Sequence, residues 1–248
     1  MLEIKNISKS YTDGFGFTII LLNNVSFTVQ DAKICSIIAP SGSGKSSLLK
    51  IVAGLESASN GEIVNNNSKD VIYIPSEPSS FPWMNVKENI QFGIKDNNAI
   101  DIDSIVKIVG LDGYETHFPH SKSLGFRFRI SLGRSIAHKP SVIVIDEPFN
   151  KMDEETRSEL YLLVRNIAKL LNISFLFATT NISEALFLSD QIHLMKKNPG
   201  EIFESIINTL PAEREMSIFS SKEFIHLRAQ IENSFKSIDS QVLFNISI

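Results

Sequence analysis

The chain has 248 residues, with 24 basic against 28 acidic side chains and a formal net charge of −4. Such a length fits one large domain or a core with a subdomain, and the slightly acidic balance argues against a dedicated nucleic-acid binder, so no nucleic-acid partner is expected. The single cysteine, Cys35, excludes an intramolecular disulfide and fits a core position in a reducing compartment. Residues 1–6 lack the pattern of a signal peptide, and no uninterrupted apolar stretch of ~18 residues could span a bilayer, so a membrane role is expected to come through a partner.

In chain order, Leu2 and Ile4, then Phe17 to Leu22, then Val25, Phe27 and Val29 alternating with Ser26 and Thr28, predict short strands of a small antiparallel sheet. A strand at Lys33 to Ile38 then runs into Ala39-Pro-Ser41-Gly42-Ser43-Gly44-Lys45-Ser46-Ser47, which opens a helical pattern continuing to Leu55. Strand, Gly-rich loop and helix in this order make a phosphate-binding loop: backbone N–H groups, the positive helix end and a lysine meet a triphosphate. Lys45 is that lysine and Ser46 the expected Mg²⁺ ligand. Ala39 stands where the first glycine of the motif belongs; its Cβ restricts positive φ but adds little bulk, so the change is expected to be tolerated.

A turn is predicted at Ser59-Asn-Gly61, a polar turn at Asn65–Asn67 and a strand at Val71 to Ile74. From Ser76 to Arg134 the pattern turns mostly helical, with amphipathic pieces at Val86 to Phe92 and Ile102 to Val109. His117 and His120 are spaced for a helical metal pair, but Pro119 intervenes and no further ligand cluster accompanies them, so no zinc site is expected. Apolar strands at Val142 to Ile145, Ile173 to Ala178 and Gln191 to Met195 then alternate with helices near Asp153 to Leu171 and Ile182 to Leu188, the pattern of a parallel α/β sheet. The buried strand 142–145 ends on two carboxylates. Downstream of a phosphate loop, Asp146 suits Mg²⁺, held through water, and Glu147 the activation of the water that attacks the γ-phosphate.

The spacing of Tyr11, the phosphate loop, residues 71–83, Asp146-Glu147-Pro148-Phe149-Asn150-Lys151-Met152-Asp153 and residues 179–185 resembles an ATP-binding-cassette (ABC) ATPase from end to end. Residues 81–89, with Leu210–Arg214 and Ser221–Arg228, most resemble the nitrate, sulfonate and taurine importer branch. The resemblance implies an α/β P-loop NTPase fold with a RecA-like core and antiparallel β subdomain over 1–75 and 135–205, a helical subdomain over 76–134 and a carboxyl-terminal extension over 206–248. It implies ATP and Mg²⁺ as cofactors, and a head-to-tail pairing with a second ABC subunit, homo- or heterodimeric. It also implies a membrane permease as partner, and a cytoplasmic place on the inner membrane face.

The same resemblance assigns Tyr11 to adenine stacking and Ser123 and Gly125 to the partner's ATP. The signature segment falls on Lys122-Ser-Leu-Gly-Phe126, with Leu124 where the family has a glycine, so the nucleotide sandwich is expected to be obstructed or shifted outward. Ser76 replaces the hinge glutamine and Thr180 the histidine that contacts the γ-phosphate; both are expected to weaken catalysis while leaving ATP affinity largely intact. Lys122 is expected to be solvated, Asp153 to meet the dimer axis, cap a helix or both, and Phe81, Pro82 and Trp83 to line a permease groove or pack inside. The leading expectation is the ATPase subunit of an importer, slow on its own. The alternative is a hydrolytically weak partner subunit with a structural or regulatory role.

Overall fold

A computed structural model describes residues 1–66, 69–77, 79–94 and 101–244. Asn67 of the expected polar turn and Pro78 of the 71–83 stretch lie outside the described residues.

Two sheets organise the chain. In the first, β1 (Leu2–Thr12) lies between β2 (Thr18–Val29) and β4 (Asn60–Asn65), antiparallel to both. β4 corrects the expected turn at Ser59-Asn-Gly61: Asn60 and Gly61 already belong to the strand. Its polar residues read as a turn, but β1 supplies the ladder that pairs them. Gly61 has φ +93°, and a Cβ there would stand 2.4 Å from the Asn6 carbonyl, so the close approach to β1 demands glycine.

The second sheet has the order β5-β6-β7-β3-β8-β9, built from β3 (Ile34–Ile38), β5 (Val71–Ile74), β6 (Val142–Asp146), β7 (Ser174–Thr179), β8 (Gln191–Lys196) and β9 (Glu201–Ile207). All pairings are parallel except β8 with β9. β3, β6 and β7 are buried at every residue, which is why they read as unbroken apolar runs. The antiparallel β9 was not foreseen; its mixture of Glu and half-exposed apolar residues gives no alternation to detect.

Helices cover both faces of this sheet. α1 (Lys45–Val52) buries Leu48, Leu49, Ile51 and Val52 between the two sheets, and α5 (Glu154–Leu171) and α6 (Ile182–Leu188) pack elsewhere on the core. α2 (Val86–Gln91), α3 (Ile102–Ile108) and α4 (Leu124–Ala137) pack on one another around Val86, Ile90, Val106 and Leu132. α4 runs through the expected boundary at 134/135. Asn85 and Glu88 form a capping box on α2, and Asp101 caps α3. The carboxyl-terminal α7 (Lys222–Phe244), expected only as an extension, docks Phe224, Leu227 and Ile231 against Leu186, Leu194 and Leu210.

Candidate active site

The parallel order sets the carboxyl ends of β6, β7 and β3 side by side, the crevice in which open α/β sheets bind ligands. Register fixes the alignment, with Asp146 opposite Ala178 and Ile38 opposite Thr179. Two backbone bonds tie the row together. The Ala39 N–H donates to the Thr179 carbonyl at 3.2 Å, and the Glu147 N–H to the Ala178 carbonyl at 2.9 Å. The phosphate loop, the acidic strand end and the turn carrying Thr180 are therefore one unit.

Within the loop, Gly42 (φ +79°) and Gly44 (φ +89°) adopt left-handed conformations closed to most side chains, whereas Ala39 is not among the positive-φ residues. The substitution at Ala39 therefore costs no backbone strain. A Cβ on Gly44 would stand 2.8 Å from Leu22 Cδ2, so β2 presses directly on the loop. Ser41 and Gly42 are exposed, Ser46 and Ser47 half-buried, and Ser43 is buried with its Oγ unpartnered.

Lys45 is buried and pairs with Glu147, Nζ to Oε1 2.5 Å. The Asn150 amide donates to the other Glu147 oxygen, and Glu147 holds φ +42°. A non-glycine residue in that region marks a constrained site. Asp146 Oδ2 accepts from the Tyr73 hydroxyl at 3.1 Å, while Oδ1 is buried without a partner. That orphaned oxygen suits a hard cation that takes most of its ligands from phosphate and water. Among the described residues no three His, Cys, Asp or Glu side chains cluster for a metal cage.

The outward-facing residues are arranged differently. Tyr11 is 47% exposed, its hydroxyl donating to Glu56 and its ring 4.8 Å from Lys9 Nζ. Ser76 and Thr180 are exposed on turns. Ser123 is exposed and caps α4, its Oγ accepting from Phe126 N–H at 3.2 Å. Gly125 is buried, and a Cβ there would lie 2.5 Å from Thr156 Cγ2, so this glycine already serves the packing of α4 on α5. Leu124 is half-buried against the chain's own core, so only part of the expected obstruction points outward. Lys122 is not simply solvated: its Nζ sits 5.7 Å from the Tyr114 ring centroid and 5.5 Å from that of Phe126. Asp153 caps α5 through the Thr156 N–H at 2.8 Å, and that bond holds its carboxyl below the usual range.

Phe81 packs on Phe92, with ring centroids 4.5 Å apart, under the Arg134 guanidinium, whereas Trp83 is 70% exposed. Sequence reading missed the pair that fixes this loop. Buried Asn89 bonds the Phe81 backbone in both directions and Met84 O, and Arg134 clamps Asn89 and Ser79 O. An asparagine on the inner face of an amphipathic helix was the available signal. Tyr73, the partner of Asp146, lay inside an apolar strand and gave none.

A glycine-rich turn between a central parallel strand and a helix, facing a carboxylate pair two strands away, defines a P-loop nucleotide-binding protein. Residues 22–150 match the family described as ABC transporter. The chain is 36% identical over 244 residues to the aliphatic sulfonates import ATP-binding protein SsuB of Bacillus thuringiensis subsp. konkukian, covering 95% of this chain and 96% of that one. It is 35% identical over 198 residues to SsuB 1 of Pseudomonas savastanoi pv. phaseolicola, covering 79% and 82%. Among solved structures, cbiO1 of Clostridium perfringens, part of the cbiONQ ABC transporter complex, superposes with a TM-score of 0.74 at 22% identity, covering 91% of this chain and 92% of that one. The dimeric cassette MJ0796 does so at 0.71, also at 22% identity, covering 85% and 100%. The chain belongs to the ABC transporter family and is an ATP-binding-cassette ATPase of P-loop fold.

Proposed function

We infer that this chain is the ATPase subunit of an importer, driving a separate permease for a small anionic solute of the aliphatic sulfonate type. The observation that carries the reading is the pairing of Lys45, at the head of α1, with Glu147, next to Asp146 at the end of β6, within a chain whose relatives of similar length bear import ATP-binding names. No helix among the described residues is long and apolar enough to cross a membrane, so membrane association falls to the permease, on the cytoplasmic face.

In the mechanism, the backbone N–H groups of residues 41–47 and the α1 N-terminus receive the phosphates, and Lys45 exchanges Glu147 for a phosphate oxygen. That exchange frees Glu147 to accept a proton from the attacking water, oriented by Asn150. Ser46 and Asp146 would hold Mg²⁺, which when bound neutralises charge on the phosphates. Tyr11 stacks on adenine, and Thr180 stands beside the γ-phosphate. Ser76 occupies the hinge toward the helical layer. Ser123 and the α4 N-terminus around Gly125 serve the ATP of a second ABC subunit, homo- or heteromeric. A hydrolytically weak half-subunit is the second reading, motivated by Ser76, Leu124 and Thr180. The relatives' names favour the importer motor, and the three residues then bear on rate rather than role.

Calorimetry with purified protein tests the site: Mg-ATP binds the wild-type chain and binds Lys45→Ala much more weakly. No binding, or equal binding by the variant, overturns the reading. Growth of a deletion strain on aliphatic sulfonates as sulfur source, restored only by the intact gene, tests the solute class.

A further inference from the structure

Glu184, on α6, is a carboxyl that the mechanism above does not use. It is 2% exposed. Its Oε2 accepts from the Tyr161 hydroxyl of α5 at 3.2 Å, its Oε1 is buried with no partner, and the Thr179 hydroxyl at the end of β7 lies close enough to favour the charged form. It lines a cavity of about 290 Å³ together with Glu154, Arg157, Tyr161, Asn181 and Phe219.

Its position links two parts of the site. Thr179 Oγ1 accepts from the Asn181 N–H at 3.0 Å, and Asn181 Oδ1 accepts from the N–H groups of Ser183 and Glu184, so the turn carrying Thr180 caps the helix that bears the carboxyl, and Asn181 lines the same cavity. On the other side, Tyr161 belongs to the helix capped by Asp153, three residues beyond the Asn150 that holds Glu147. We propose that Glu184 is a positioning residue for ATP hydrolysis: its ionised carboxylate ties the Thr179–Asn181 turn, and with it Thr180, to α5, and protonation releases the turn. The inference rests on the active-site reading given above.

The surroundings make both states accessible near neutrality. Burial pushes the carboxyl up to about 7; the Thr179 and Tyr161 hydroxyls and the Arg157 charge oppose that rise, and the Glu147 charge adds to it. Glu154 of α5 completes the charged groups around the cavity. β3 and α7 meet α6 through apolar side chains, Ile38 and Phe224 among them. Ionised, the carboxylate accepts from the Tyr161 hydroxyl and attracts the Thr179 hydroxyl to its free oxygen, which fixes the turn; protonated, it competes with them as a donor.

The test is turnover of the full chain at saturating Mg-ATP between about pH 5.5 and 8.5, a span bracketing the midpoint, for wild type, Glu184→Gln, Tyr161→Phe and Glu147→Gln. Wild-type kcat is expected to rise with pH through about 7. Glu184→Gln loses that limb and, at the alkaline plateau, turns over roughly tenfold more slowly with KM within about twofold. In Tyr161→Phe the limb moves to higher pH, because a hydrogen bond to the charged form is gone. A second readout needs no turnover. The folded carboxyl keeps its proton to about 7 and the unfolded one releases it near 4.5, so the wild type loses thermal stability relative to Glu184→Gln as pH rises across that window. A limb unchanged in Glu184→Gln, an unmoved midpoint in Tyr161→Phe, or a melting difference independent of pH overturns the inference. Turnover indifferent to Glu147→Gln brings down the active-site reading and this inference together, whereas Glu147-dependent turnover with an unmoved limb removes the inference alone.

Discussion

Lys45 at the head of α1 and Asp146 at the end of a strand buried throughout are each 5% exposed, whereas Ser76, Ser123 and Thr180 lie exposed on turns and at a helix cap. The half of the site that this chain builds for itself is held by the sheet. Lys45 of α1 pairs with Glu147 and Asp146 with Tyr73 of the adjacent β5, while Asn150, three residues on in the same loop, holds Glu147. The half turned outward carries Ser123 on a helix cap and Ser76 and Thr180 on turns, and the altered family positions Ser76, Leu124 and Thr180 fall there, with Ala39 of the phosphate loop the exception. A change in the inner half disturbs the core as well as the chemistry, while a change in the outer half can alter rate and leave the fold intact.

The largest effect that separates the halves is expected from Glu147→Gln. Turnover should fall by roughly 10²- to 10⁴-fold with removal of the general base. Nucleotide binding measured by calorimetry should hold or tighten, because Lys45 no longer has to leave a carboxylate. Tighter retention of wild-type turnover would place the base elsewhere and break the comparison. Next comes Lys45→Ala, expected to weaken Mg-ATP binding about a hundredfold, the scale of a hydrogen bond to a charged group together with the Glu147 carboxylate left unpaired.

Restoring the outer half should act in the opposite direction. Thr180→His is expected to raise turnover roughly tenfold to a hundredfold, within what one well-placed polar group supplies, with little change in melting temperature. A loss of activity would show that the hydroxyl is itself the working group. The smallest effect is expected from Asp153→Ala, which removes the α5 cap and slightly lowers the midpoint of denaturant unfolding. Nucleotide affinity of the isolated chain should stay the same, since Asp153 touches none of the inner groups.

The contrast also explains what could be read without coordinates. The phosphate loop and the 142–147 strand end were legible because their chemistry is local: an apolar strand, glycines where φ is positive, and a charged pair at a fixed offset. The core strands and α6 announced themselves by unbroken apolar runs and by helical period. β4 and β9 did not, because a polar or half-exposed strand is defined by the ladder of its neighbour, β1 for one and β8 for the other.

Sequence alone therefore determined the fold class, and it singled out the candidate lysine and carboxylates and the departures from the family pattern at Ala39, Ser76, Leu124 and Thr180. Only the tertiary structure decided that Ala39 is free of strain, that Gly125 packs on Thr156, that Leu124 leans inward, that Tyr73 holds Asp146, that Asn89 and Arg134 fix the loop at Phe81, and that Glu184 is buried against Tyr161. The physical reason is separation along the chain: motif chemistry lies within a few residues, whereas burial and hydrogen-bond partners come from elements brought together by the sheet order.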